Sequence, residues 1–158
     1  MPVLHNGDNF PSLSLPAVGG GRVSLPADLA GGFGVVLFYR GHWCPYCNAQ
    51  LAAFARAAET LTALGIKVVA LSVDDQGEAS ALADQLRLPF PVGYGADAGA
   101  IAAATGAYTS ADSRYVQSTG FLLDPDGRVE IAVYSSGAIG RLVPDDVAGY
   151  VRYLMTHA

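Results

Sequence analysis

The chain reads as an α/β domain: a three-layer α/β/α sandwich on a mixed central sheet, with a short β extension at its N-terminus. Three observations predict this. Residues 34–39 and 67–73 are short apolar runs of the kind found in strands covered on both faces. A helical pattern lies between them, and strand, helix, strand in that order make a right-handed parallel crossover. Further on, residues 119–123 and 128–134 flank Asp124-Pro125-Asp126-Gly127, a tight-turn sequence that folds two strands back antiparallel.

In chain order, residues 8–31 carry turn chemistry and two short extended pieces, one around Phe10, Leu13 and Leu15 and one around Val23 and Leu25. Gly19-Gly20-Gly21 between them suits a hairpin or a flexible loop. One helix is expected over about 45–64, ended by Gly65. Cys47, Leu51, Phe54, Ala58 and Leu61 are spaced by three and four, so they share its buried face. Asp74 and Asp75 are expected to cap the next helix, with Ala79, Leu82, Ala83 and Leu86 turned inward. Residues 88–92 are a proline-bounded strand or loop. An alanine-rich helix over 98–104 stops near Gly106, and 107–118 form a loop. Gly137 and Gly140 mark another loop. Pro144-Asp145-Asp146 opens a last helix with Val147, Val151 and Leu154 on the core.

Length and composition set bounds. At 158 residues the chain fits a single domain, 1–158, that buries roughly 70% of its unfolded surface. Hydrophobic residues make up 51% and charged residues 15%, which is globular and not disordered. A net charge of −5 without a basic cluster argues against nucleic acid and anionic membrane as partners. The first residues do not read as a signal peptide and no run spans a bilayer, so the expected location is cytoplasmic. There, two nearby cysteines point to catalysis or metal binding before a structural disulfide.

Those cysteines stand in W-C-P-Y-C, where an apolar run gives way to a helix. A sulfur at a helix N-terminus meets unpaired N–H groups and a positive dipole end, which favour the thiolate. Cys44 is therefore the candidate nucleophile, expected to be reachable by solvent. Pro45 suits the first helical position, where its missing N–H costs nothing. Cys47 should be recessed one turn below, placed to attack Cys44 once that residue is oxidised. A zinc site needs about four ligands, and His5, His42 and His157 are the only histidines, with no second cysteine pair. No metal and no cofactor are expected. Inert core thiols stay open on the residues alone.

The order of elements, with W-C-x-x-C opening the first long helix, resembles the thioredoxin-like superfamily. G-D-N-F-P-S-L-S-L, the strand L-S-V-D-D followed by P-F-P-V, and G-F-L-L-D-P-D-G-R-V are similar to its AhpC/TSA, or peroxiredoxin-like, branch. The resemblance implies a thioredoxin-like fold and thiol-dependent reduction of hydroperoxides through Cys44 and Cys47. It also implies a thiol reductant, from a thioredoxin or glutathione system. Gly41 stands where peroxidatic sites of the family carry Thr or Ser. Ser118 stands where disulfide-exchanging relatives carry a cis-proline. The family's arginine before the hairpin strand has Arg114 as its nearest counterpart.

On this footing Arg40 or Arg114 supplies positive charge at the leaving oxygen, and His42 lowers the Cys44 pKa or shuttles a proton. Trp43 acts as an apolar lid. It lines the substrate surface together with Gly41, Pro45, Ser118 and Thr119, whose hydroxyls are placed to hydrogen-bond a substrate. Tyr108 and Tyr115 fit either a homodimer contact or a cover for the core. Two further functions stay open: a thioredoxin- or glutaredoxin-like exchange with protein or glutathione disulfides, and a redox-inert module that binds a partner around Trp43.

Overall fold

Strand β3 (Gly34–Phe38) is buried along its whole length and sits at the centre of a five-stranded sheet. The computed structural model describes residues 3–157; Met1, Pro2 and Ala158 of the expected domain lie outside the described residues. The sheet runs β5-β4-β3-β6-β7, with β4 (Lys67–Leu71), β5 (Val92–Gly93), β6 (Thr119–Leu123) and β7 (Val129–Tyr134). Strand β3 pairs in parallel with β4 and antiparallel with β6, so the sheet is mixed. Its two halves match the crossover and the hairpin read from the sequence.

Alternate residues of β3 feed two cores, as a period of two requires. Val35 and Leu37 pack with Leu51 and Phe54 of α1 (Pro45–Arg56), Leu82 of α3 (Gln76–Leu86), and Val147 and Val151 of α5 (Pro144–His157). Val36 and Phe38 face Phe121 and Ile101 of α4 (Ala98–Thr105), together with Val23 and Leu25. The last two belong to a separate hairpin of β1 (Leu13–Pro16) and β2 (Arg22–Leu25), the expected N-terminal extension. Because β1 and β2 pair antiparallel, the triple glycine makes a hairpin and not a loose loop, with Gly19, Gly20 and Gly21 all at positive φ.

Three expectations need correction. The helix expected over 45–64 is two helices, α1 and α2 (Ala58–Ala63), with a break at Ala57. Neither proline nor glycine causes it. Ala57 has ψ 3°, away from helical values, yet the Ala57 to Ala53 and Leu61 to Ala57 bonds persist on either side. Leu61 stays on the core with Phe54 across the break. Gly65 does end the helical stretch: Gly65 N–H bonds Thr62 O and Ile66 N–H bonds Leu61 O, the paired closure of a left-handed glycine. Second, only Asp75 caps α3, in a reciprocal box with Glu78; Asp74 is turned elsewhere. Third, residues 72 and 73 lie beyond the end of β4.

Phe54 is fully buried between α1 and the sheet. Phe54→Ala is expected to destabilise the protein by about 3–5 kcal/mol, read from the midpoint shift in urea unfolding. A loss below ~1 kcal/mol would mean that the α1 face is not the main contact of this core.

Candidate active site

The chain leaves β3 at Phe38 and turns before α1, and this turn carries the chemistry. Cys44 is the N-cap of α1: its backbone is extended, and its sulfur accepts the Cys47 N–H at 3.3 Å. Pro45 takes the first helical position as expected, and is exposed. Cys47, one turn on, packs in the core with Leu51 and Phe54. Its sulfur accepts the Arg40 main-chain N–H at 3.3 Å.

Two guanidinium groups converge on the sulfurs. Arg40 Nη1 lies 3.6 Å from Cys44 Sγ, while its Nε donates to Gln117 Oε1 at 2.9 Å and its Nη2 to Tyr115 Oη at 3.1 Å. Its guanidinium also sits 5.0 Å from the Trp43 ring centroid and 5.2 Å from that of Tyr115, within cation–π range. Arg141, from the loop before α5, places Nη2 3.1 Å from Cys47 Sγ and 3.8 Å from Cys44 Sγ. Gln50 of α1 accepts from Arg141 Nη1 at 2.7 Å and donates to Leu142 O at 2.9 Å; the Ala138 carbonyl accepts from Arg141 Nε at 2.7 Å.

The electrostatics separate the two thiols. Burial pushes Cys44 up, but hydrogen bonds from the Cys47 thiol and N–H, with Arg40 and Arg141 close by, bring it below the ordinary thiol value. Burial and the thiol hydrogen bond to Cys44 hold Cys47 above it, against the opposing pull of the Arg40 N–H and Arg141.

Several expected residues are elsewhere. Cys44 is not reachable by solvent: both sulfur-bearing residues have 0% exposure, because Arg40 and the side chains gathered on it close over the turn. Arg114 does not join the cysteines. Its side chain is 80% exposed and pairs with Asp112 at 3.8 Å. Ser110, which accepts the Arg114 and Tyr115 N–H groups, folds this loop so that Tyr115 points in and Arg114 out. Thr119 is buried, and its hydroxyl donates its proton to the Gln117 carbonyl. Ser118, just before β6, is tied to the loop after β7 through main-chain bonds with Gly137 and Ser135. His42 turns its ring toward Asp74.

Sequence reasoning missed Arg141, Gln50, Tyr115 and Gln117 as parts of the site. Arg141 had one signal: it is the only charge in the stretch S-S-G-A-I-G-R-L-V. A charge kept among small and apolar residues is worth asking about.

Trp43 is 49% exposed and meets Tyr115 edge-on at 5.0 Å. It is a partial cover, with its indole folded back over Gly41. A Cβ on Gly41 would lie 2.3 Å from Trp43 Nε1. The ring thus fills the space next to residue 41, where a side chain would stand. Gly41→Ala is expected to push Trp43 outward and red-shift the emission of this sole tryptophan. Unchanged emission would show that the ring packs elsewhere.

A helix-capping dithiol beneath paired arginines, on this sheet, makes the chain a thioredoxin-like redox protein. It belongs to the AhpC/TSA family, whose model matches residues 6–132. A peroxiredoxin of Treponema denticola is 27% identical over 99% of this chain and 75% of its own length. One of Chlorobaculum tepidum is 26% identical over 98% and 73%. Among solved structures, peroxidoxin BcpB of Mycobacterium tuberculosis superposes with a TM-score of 0.82 at 22% identity, covering 96% of this chain and 98% of that one. AhpC of the same organism gives 0.82 at 23%, covering 99% and 96%.

Proposed function

We propose that this chain is a thiol peroxidase that reduces hydroperoxides through Cys44 and Cys47. The observation that carries this reading is the approach of Arg40 and Arg141 to the sulfur of Cys44, at 3.6 and 3.8 Å. Cationic neighbours raise the thiolate fraction at neutral pH, and the departing oxygen needs donors as charge builds on it. In the first step Cys44 thiolate attacks the terminal peroxide oxygen. An S–O bond forms, the O–O bond breaks, and the alkoxide or hydroxide leaves and takes a proton from water. Cys44 is then a sulfenic acid. In the second step the Cys47 sulfur attacks Cys44. An S–S bond forms, and the hydroxyl of the sulfenic acid departs as water with the Cys47 proton. A dithiol, or two thiols, from a thioredoxin or glutathione system reduces the disulfide.

Because the sulfur is covered, peroxide entry requires the Arg40, Trp43 and Tyr115 cluster to open. A free thiol pair that works by cycling suits a reducing compartment, and the cytoplasm is the location we assign. Among the described residues no helix is long and apolar enough to cross a membrane.

The test is a thiol count. One equivalent of hydrogen peroxide or an alkyl hydroperoxide should remove two thiols per chain without linking chains, and a dithiol should restore them. Loss of no thiols would leave a redox-inert binding module. Faster turnover of oxidised glutathione or insulin than of any hydroperoxide would replace the peroxidase reading with disulfide exchange. Both reactions would use the recessed Cys47 in the same way, so the substrate comparison decides between them.

A further inference from the structure

The buried carboxylate of Asp74 takes no part in the chemistry above. Asp74 is 5% exposed and faces the reactive turn. Its Oδ2 accepts the main-chain N–H of His42 at 2.9 Å, and its Oδ1 lies 3.3 Å from His42 Nδ1. Asn48, in the first turn of α1, donates to the His42 carbonyl at 3.1 Å. The N–H, the C=O and the ring of His42 are therefore all held, from the segment after β4 and from α1. His42 lies midway between Arg40 and Cys44 in the chain.

The groups around Asp74 are His42 from the turn, Glu78 from α3, Tyr39 just past β3, and Ser72, whose hydroxyl accepts the Asp74 N–H at 3.1 Å; Asp112, Arg114 and Tyr115 line the same cleft. Burial raises the Asp74 pKa, His42 opposes that rise, and Glu78 adds to it. A buried carboxylate is costly unless paired, and here His42 supplies the pairing. His42, Asp74 and Glu78 also bring ligand atoms within 4.8 Å of one another, which raises the question of a cation. His42 Nδ1 stands 3.3 Å from Asp74 and 3.8 Å from Glu78, and Asp74 also accepts the His42 main-chain N–H, so the carboxylate is engaged by the turn itself; the cobalt test below separates this from a metal site.

We propose that Asp74 is the positioning residue of the reactive turn, holding it through His42 so that the Cys44 sulfur stays beneath Arg40 and Arg141. This rests on Cys44 as the nucleophile, but the first readout below needs no peroxide, so the two can fail separately. Asp74→Asn keeps the shape and one acceptor for the His42 N–H and removes the charge. In a Cys47→Ser background, iodoacetamide alkylation of Cys44 is followed against pH. The inflection is expected to move to higher pH in Asp74→Asn, because the sulfur drifts from its cations. In the otherwise native chain, hydroperoxide kcat/KM is expected to fall about 10- to 100-fold, the usual cost of a small misplacement. Combined with His42→Asn, the losses are expected to be less than multiplicative, because both act along one path. Should Asp74→Asn not fold, Asn48→Ala removes the other hold on His42 and should move the inflection the same way.

An unmoved inflection in the folded variant overturns the proposal, as do losses that multiply. So does a stoichiometric Co²⁺ absorption band in a Cys44→Ser, Cys47→Ser chain that His42→Asn abolishes, since the cluster would then be a metal site.

Discussion

Cys44→Ser is expected to fold normally and to lose hydroperoxide turnover by ~10³-fold or more. The folding expectation follows from the role of residue 44 as N-cap of α1. Serine is among the preferred N-caps, and its oxygen can accept the Cys47 N–H that the sulfur accepts now. Helix α1 should keep its start, so the loss is chemical: a hydroxyl does not ionise near neutral pH as a thiol beside two arginines does. Cys47→Ser should behave differently. One equivalent of peroxide should oxidise one thiol per chain, in a fast step that is not followed by a disulfide. Circular dichroism, thiol counting and a trapping reagent for sulfenic acid check both variants together. If Cys44→Ser still turned over while Cys47→Ser did not, the two roles would be exchanged. That result would contradict the opposite pKa directions of the two thiols.

Arg141→Met is expected to lower kcat/KM for hydroperoxides by roughly 10²–10³-fold, the range seen when a donor aimed at developing charge is removed. Arg141 touches both sulfurs, and Gln50 and the Ala138 carbonyl hold its guanidinium. It is positioned before any substrate arrives, which is what makes such a group effective. The sign of the pH effect follows from the charge. Removing a cation makes the Cys44 thiolate costlier, so its pKa rises and the alkylation rate reaches half its plateau at higher pH. Arg141→Lys keeps a charge but not the planar fork, and should recover only part of the rate. Arg114→Met serves as the contrast: its exposed side chain pairs with Asp112 and not with the cysteines, and little change is expected. An unchanged kcat/KM in Arg141→Met would leave Arg40 as the sole cation at the sulfur.

Much of the fold was legible because it depends on local pattern. The buried runs that became β3 and β4, the Asp-Gly turn between β6 and β7, and Gly65 and Gly106 in left-handed closures are written in neighbouring residues. The break at Ala57 was not legible, since no residue there is a helix breaker; packing of Leu61 against the core accompanies it.

The sequence by itself determined the pair of cysteines, their place at the start of a helix, the order of strands around them and the family to which the chain belongs. The first three follow from residue type and short spacing, and the family from motifs that resemble its own. Only the tertiary structure decided which arginine attends the sulfur, that Asp74 turns to His42 and does not cap α3, and that the reactive turn is closed. Arg141 lies 97 positions from Cys44, Tyr115 75 from Arg40 and Asp74 32 from His42. Contacts across such separations depend on where the sheet sets its loops, and no local periodicity encodes that.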